Sequence, residues 1–589
     1  MFGKAAQFIA ASRPGVKQGG AEIDGQAMEN QRLILFIVFA FSVFMLYEAW
    51  QRDSHPASGP VATVAGGPAD VAVPRPAESV TPGAAQAPSG ARPAPTGALQ
   101  NGDTVRVETD VYVADINTAG GDLRRLELRE HRDSLDREKN FVLLEQADHV
   151  YIAQAGLIGA GLPNHHTKFT ATANAVKLED GAPSVTVRLA APEVDGIKVT
   201  KVYTFYRGRY EIDVGFEVEN KGTKAITPDA YFQLVRDNHS PGGDSKMLPT
   251  YTGMAVYTEH EKFIKLPFAD VEKGKANYPK KASDGWIAML QHYFLTAWLP
   301  KGNVAREYFV QHGDNGLYSA GVILSVGNIE PGAQAAVTVP LYAGPQEQDK
   351  LAALAPGLDL TVDYGWLTII AKPLFVYLQW LYHWVGNWGV AIILLTVSLK
   401  MVFYPLSATS YRSMARMRLV APKMQRLKEQ YGDDRQKMSQ AMMELYRTEK
   451  INPLGGCLPV VVQIPVFIAL YWVLLASIEL RHAPFMLTID DLSMASVSTT
   501  NGWIFAPFAY FVLPVLMGAT MIFQTYLNPE PPDPVQAKVM KIMPIAFSIM
   551  FFFFPAGLVL YWLVNNVLSI AQQWQITRAM ENAKPAHGK

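Results

Sequence analysis

The sequence predicts a polytopic α-helical membrane protein of six transmembrane helices, carrying an antiparallel β-sandwich domain on one side of the membrane and a helical hairpin on the other. Three observations predict it. Six apolar runs, one near the start and five beyond residue 385, have the length or composition of spanning helices. Between them, residues 102–345 alternate apolar and polar side chains with period 2, the pattern of half-buried antiparallel strands. A basic stretch at 407–450 interrupts the apolar runs and sets their orientation.

Residues 33–50, from Leu33 to Trp50, form the first apolar run. Its length suits a signal-peptide core or a short spanning helix. No small-x-small cleavage pattern follows, so an uncleaved signal anchor is preferred to a cleaved signal. Lys4, Arg13, Lys17 and Arg32 outnumber Glu22, Asp24 and Glu29 before it, which favours an inside N-terminus. Met28 would also make a start, which would leave 1–27 as an extension. Residues 51–101 are rich in Pro, Ala and Gly without strand or helix period, a disordered linker.

The segment 102–350 reads as the sandwich. Val105, Val107, Val111 and Val113 alternate, as do Val202, Tyr203 and Phe205, then Ile212, Val214, Phe216 and Val218 up to Asn220-Lys221-Gly222. A helix is expected near 347–355. From 364 to 386 Trp366, Tyr377, Trp380, Tyr382 and Trp384 stand among Leu and Ile with few charges, a helix suited to the membrane interface. Spanning helices follow at 388–406, 453–478, 503–527, 539–554 and 557–577. The last two are separated by Pro555-Ala556, a tight helical hairpin, and 539–554 is short.

Ten basic residues face five acidic ones in 407–450, whereas the connection 480–502, within the expected outer loop 479–502, has Arg481 against Asp490 and Asp491. The positive-inside rule places 407–450 in the cytoplasm, the sandwich outside, and both termini inside, with the loop 528–538 and the tail 578–589 also cytoplasmic. Met414, Met417, Ala421 and Met424, then Met438, Met442 and Leu445, give two amphipathic helices around Gly432-Asp433-Asp434. Their Met-rich seam fits self-packing of the pair. Their basic face, with Arg412, Arg416, Arg418, Lys423, Arg426 and Lys428, fits a docking platform for a nascent chain or its carriers.

With 589 residues the chain exceeds a single core, and its net charge of −1 argues against a dedicated nucleic-acid binder. Cys457 is the only cysteine, so no intrachain disulfide can form. Enzyme signals are weak. His165-His166 lack a carboxylate or cysteine at ligand spacing, and no nucleophile elbow, Walker loop or HExxH motif is present. No cofactor or metal is expected.

The most telling residue is Lys400, inside the run that ends at Tyr404-Pro405-Leu406. A cation near the centre of a spanning helix costs about 2.5–3.5 kcal/mol on insertion scales, so it is expected to face something other than lipid. The alternative is snorkelling to the headgroups. Thr396 shares its helix face at i−4. Gln463 lies in the next span, and Asn565, Asn566 and Ser569 in the last, after Tyr561-Trp562. Each alone suits an interhelical hydrogen bond. Together Lys400, Thr396, Gln463, Asn565 and Trp562 are candidates for one wet groove in the inner half of the membrane. Phe467, Leu516, Met550, Phe551 and Tyr561 are candidates for its apolar wall.

Gly386-Asn-Trp-Gly389, Tyr404-Pro-Leu406, Asn452-Pro-Leu-Gly-Gly-Cys-Leu-Pro459, Gln463-Ile-Pro465 and Phe554-Pro-Ala-Gly-Leu-Val-Leu-Tyr-Trp562 closely resemble the YidC/Oxa/Alb family, in its Gram-negative form with a large periplasmic domain. The match covers essentially residues 28–580 and is strongest over 364–577. The resemblance implies insertion and folding of inner-membrane proteins, alone or alongside the Sec translocon, through a hydrophilic groove open to cytoplasm and lipid. The partners it implies are nascent inner-membrane proteins, the Sec translocon, the ribosome and signal recognition particle pathway, and the bilayer itself. Two departures stand out. Lys400 occupies the place of the usual groove arginine, and a lysine is a point charge that burial can neutralise. The tail lacks a long basic extension, which leaves the hairpin and 528–538 as the expected ribosome contacts. The rival readings are an assembly scaffold acting through the periplasmic domain, and a transporter or channel, for which no internal repeat is found.

Overall fold

Strands Ile197–Tyr206 and Glu211–Asn220 show why the alternating stretches fold as they do. They pair antiparallel through the tight turn at Arg207–Tyr210, and their alternate residues Val199, Tyr203, Phe205, Ile212, Val214, Phe216 and Val218 are buried. Period-2 burial places one face of the pair on a core and the other in solvent. The computed structural model describes residues 73–74 and 100–582, apart from 134–135, 137, 148, 240–249, 314–315, 433, 450–457, 487–488, 499–503, 506–507 and 529–533. Within these residues the strands form a nine-stranded sheet, a ten-stranded sheet and, between the later helices, a two-stranded ribbon of Val497–Ser498 and Ile504–Phe505. Their pairings are antiparallel except where Thr104–Glu108 runs parallel to Ala175–Lys177. Phe216 of one sheet meets Phe232 of the other at 6.2 Å between ring centroids, and Phe232 meets Trp298 at 5.2 Å. Gly285 has φ +92° and its α-carbon faces the Tyr257 carbonyl so closely that a Cβ would sit 1.9 Å from the oxygen. Only glycine fits there.

The linker reading needs one correction. Val73 packs against a patch of Tyr231, Phe309 and Ile323 on the outer face of the ten-stranded sheet, and Pro74 is buried. A β-branched residue followed by proline favours extended backbone, which suits docking on a sheet. The expected first span, 33–50, lies outside the described residues, as do the rest of the linker before Gln100 and residues 583–589 of the tail.

Two short helices, α1 (Phe268–Glu272) and α2 (Gln348–Leu354), belong to the sandwich. Next comes α3 (Thr368–Val385), which buries Ala371, Phe375, Leu378 and Leu381 and exposes Ile369, Trp380 and Trp384. Gly386 closes it in the left-handed conformation, with its N–H on the Tyr382 carbonyl, and the Asn387 side chain at once caps α4 (Trp388–Val402) by accepting from Val390 N–H. Gly389 lies against the Phe485 ring, where a Cβ would approach to 2.0 Å. The Gly-Asn-Trp-Gly motif is thus a helix joint built for close packing.

The span predicted over 388–406 ends early. The helix stops at Val402 and restarts as α5 (Tyr404–Tyr431), bent by 67°. Pro405, in the first turn, has no N–H to continue the earlier ladder. Asp434 caps α6 (Arg435–Thr448), which packs on α5 through a Lys423–Glu449 ion pair and a Tyr446 hydroxyl donating to Met424 Sδ at 3.3 Å. Then follow α7 (Leu458–Ala476), α8 (Ala509–Leu527), α9 (Pro534–Met550), a 3₁₀ turn at Phe551–Phe553, and α10 (Ala556–Asn582). Ile392 and Leu395 of α4, Leu470 and Val473 of α7, Met517 of α8 and Leu558 of α10 share one core. One helix among the described residues is long and apolar enough to cross a membrane, over Tyr510–Leu527. The bent pair α4 and α5 passes that test together, and Val462–Ala476 is a shorter apolar helix.

Sandwich and helices meet at a polar joint. Arg481 is buried with its guanidinium 5.4 Å from both the Phe141 and Phe294 rings, and it donates to the Arg132 carbonyl at 2.6 Å. His292 Nε2 donates to the carbonyl of Leu475 at 2.8 Å.

Candidate functional site

The α4–α5 bend, α7, α8 and α10 enclose a cavity of about 250 Å³. Lys400 enters from α4. Ser407, Ser410, Tyr411 and Met414 line it from α5, and Gln463, Ile464 and Phe467 from α7. Gln524 and Asn528 lie at the end of α8, and Trp562, Asn565, Asn566 and Ser569 on α10. The polar positions of α10 recur at 565, 566 and 569, one side of the helix. Lys400 Nζ donates to Ser569 Oγ at 2.6 Å, and that hydroxyl donates to the Asn565 carbonyl at 2.7 Å. Gln463 Nε2 donates to Asn565 Oδ1 at 2.7 Å. Asn566 is buried, with Nδ2 3.5 Å from Thr520 Oγ1. These bonds join α4, α7, α8 and α10 through neutral groups.

Among the described residues, Lys400 is the one charged residue in the lining, and no aspartate or glutamate lies there. Its ammonium therefore has one hydroxyl as its hydrogen-bond partner among the described residues, with two donor positions to spare. A cation in a low-dielectric site without a carboxylate attracts an anionic group strongly, because nothing local cancels its field.

The sequence-predicted groove residues divide. Lys400, Gln463, Asn565 and Trp562 come together around the cavity. Thr396 does not. It is buried one turn earlier and spends its hydroxyl on the Ile392 carbonyl at 2.7 Å, as threonine does inside helices. Phe467 lines the cavity and meets the Trp562 ring at 4.3 Å, edge to face. Leu516 is exposed on α8 and Met550 half-buried at the end of α9. Phe551 and Tyr561, expected in an apolar wall, are instead core residues with 1% exposure each, Phe551 packing on Trp562 at 5.3 Å. Arg412, Arg416 and Arg426 are exposed on α5, and Lys423 is paired with Glu449. Arg418 turns back to the bundle, donating to the carbonyls of Tyr526 and Leu527. The side chain of Lys428 lies outside the described residues.

Sequence reasoning missed Ser407, Ser410, Tyr411, Gln524 and Asn528 as lining residues. Pro405 was the available signal for the first three. A proline two residues after Phe403 marks a bend that folds the next turns back over Lys400.

Known protein families match both regions of the chain. Residues 104–377 match the model of the YidC periplasmic domain, and 380–584 that of the 60Kd inner membrane protein family. The membrane protein insertase YidC of Nitrosospira multiformis is 56% identical over 570 residues, which cover 94% of this chain and 98% of that one. The chain belongs to the YidC family. The YidC of Methylobacillus flagellatus is 55% identical over 560 residues, again 94% of this chain and 98% of its own. A solved YidC insertase with its first transmembrane domain resolved aligns at a TM-score of 0.38 and 18% identity, covering 80% of this chain and 94% of that one.

Proposed function

We propose that the chain is a membrane protein insertase of the bacterial inner membrane, which receives a short polar segment of a nascent protein in the Lys400 cavity while the adjoining apolar helix passes into lipid. The observation that carries this is the placement of the cation: Lys400 stands in a cavity whose other described lining groups are neutral. Lys400 draws acidic residues of the client, and Gln463 and Asn565 exchange their mutual hydrogen bond for bonds to its backbone. Phe467 offers the client's apolar helix a side of the cavity to leave along. Burial of that helix in hydrocarbon supplies the drive, so no nucleotide is required.

The proposed topology has six spans, with both termini and the α5–α6 hairpin in the cytoplasm and the sandwich in the periplasm, following the charge asymmetry of the connections. In it α3 lies along the outer surface, its exposed Trp380 and Trp384 at headgroup level. Helix α4 has 15 residues, about 22 Å at the α-helical rise, against a hydrocarbon core of about 30 Å. Such short helices favour a locally thinned bilayer and a lower barrier to the client's polar segment. The exposed arginines of α5 suit the ribosome or a targeting particle, and the sandwich suits the Sec translocon.

Depletion and complementation in cells test the reading. Lys400→Arg is expected to support insertion of clients with acidic translocated segments, and Lys400→Glu to reduce it by at least tenfold, since it turns attraction into repulsion. Equal insertion by the two variants would sink the electrostatic mechanism.

A further inference from the structure

The cavity has one wall that hangs on a bend. Ser407, Ser410, Tyr411 and Met414 line it from α5 and stand at i, i+3, i+4 and i+7, one face of that helix. Arg418 continues the same face by one more turn. Its guanidinium donates to the carbonyl oxygen of Tyr526 at 3.1 Å and to that of Leu527. These are the last carbonyls of α8, which have no partner within their own helix and carry the negative end of its dipole. Gln573 of α10 supports the same end, donating to the Leu527 carbonyl at 3.1 Å and to Asn528 Oδ1 at 3.2 Å. Asn528 in turn lines the cavity. At its other end α5 begins at the 67° break beside Phe403, where the helical ladder is interrupted. The arm is therefore tied to α8 at its far side by Arg418, rests on α10, where Gln572 Nε2 lies 3.5 Å from the Tyr404 carbonyl oxygen, and is jointed at its near side.

Two main-chain carbonyls are modest acceptors for a guanidinium. A carboxylate is a better one, because it carries full charge and takes two parallel N–H bonds. We propose that Arg418 is an entry latch for acidic client segments: it holds α5 against α8 when no client is present, and it exchanges the α8 carbonyls for a client aspartate or glutamate, which parts α5 from α8 and admits the segment toward Lys400. Arg418 is thus a positioning residue placed before the cavity. The identity of its ligand rests on the insertase reading; the latch itself does not.

The test uses the full chain with Cys457→Ser and Ser410→Cys, reconstituted in vesicles of phosphatidylcholine so that no net-anionic headgroup competes. Ser410 is buried in the lining, so its labelling by a water-soluble maleimide reports opening. Adding Arg418→Gln is expected to raise the labelling rate about five-fold, the scale of one lost helix-terminus charge interaction. Arg418→Lys, which keeps the charge, should raise it less. A client peptide with Asp and Glu in its leading segment should raise the rate in the Arg418 protein, its Asn and Gln counterpart should not, and Arg418→Gln should respond to neither. Equal rates with and without Arg418, in variants that unfold at the same temperature, would overturn the latch. Equal responses to the acidic and amide peptides would overturn the exchange. The rate without peptide requires no insertion, so failure of the latch and failure of the insertase reading give different results.

Discussion

Two lysines among the described residues, Lys201 and Lys400, are removed from bulk water and treated in opposite ways. Lys201, in the sandwich, is fully buried and donates to the carbonyls of Gly120 at 3.0 Å and Ala155 at 2.8 Å. Asp122 lies 3.7 Å away, and it also receives Gln154 Nε2 at 3.1 Å and sits 3.7 Å from Arg124. The Phe169, Tyr203 and Phe216 rings surround the ammonium within 5.9 Å. Lys400 has a serine hydroxyl and a cavity. The sandwich compensates its cation on the spot, as a buried charge requires. The helical region gives its cation one hydroxyl among the described residues. A charge that the fold itself neutralises reads as structure; a charge the fold leaves half-answered reads as a binding group.

The contrast can be broken most directly at the two lysines. Lys201→Met should destabilise the sandwich by about 3–5 kcal/mol, because Asp122 is left buried without its ammonium. Lys400→Met should change stability by less than about 1 kcal/mol, since it loses one hydrogen bond and sheds a desolvation penalty, yet it should lower insertion of acidic clients. Urea unfolding followed by the fluorescence of the buried Trp286 and Trp298 gives the first, and a client insertion assay the second. Similar unfolding curves for the two variants would erase the distinction.

The joint between the two regions offers a middle case. Arg481 is buried but is answered by two aromatic faces and a carbonyl. Arg481→Ala should cost about 2 kcal/mol at the joint without unfolding either region. Hydrogen exchange would then rise at Arg132 and Phe141 while the central strands keep their protection. Unchanged exchange at those two positions would mean the regions are held together elsewhere.

A pH dependence is expected as well. Burial lowers the Lys201 pKa from its ordinary 10.5 to about 8, with Asp122 opposing the shift. Between these values the unfolded chain binds more protons than the folded one, so stability rises as pH rises from about 8 toward 10. Urea midpoints across that range should climb, and Lys201→Met should flatten the slope. A slope unaffected by the substitution would assign it to other groups.

Much of this was legible in the chain. Gln463, Asn565 and Lys400 stood out because polar residues in apolar helices are expensive and need partners. The sandwich strands were legible because water on one face enforces alternation. Phe551 and Tyr561 pack in the core, which composition does not reveal, because a membrane helix has lipid on its outer side and apolar packing on its inner side. Thr396 bonds its own helix instead of the cavity, an option every threonine in a helix has. Arg418 looked like one more surface cation of a basic hairpin. That it caps α8 depends on a helix end more than a hundred residues later.

By itself, then, the sequence determined the two regions, the strand faces, the helix caps at Asn387 and Asp434, and which apolar runs carry polar residues. These follow from local rules of period, capping and insertion cost. Only the tertiary structure decided that Lys400 meets Ser569, that α5 folds back over the cavity at the Phe403 break, and that no carboxylate stands among the described lining residues. Those are facts about which helices become neighbours, and neighbours in a bundle are chosen by packing over long separations that no local pattern records.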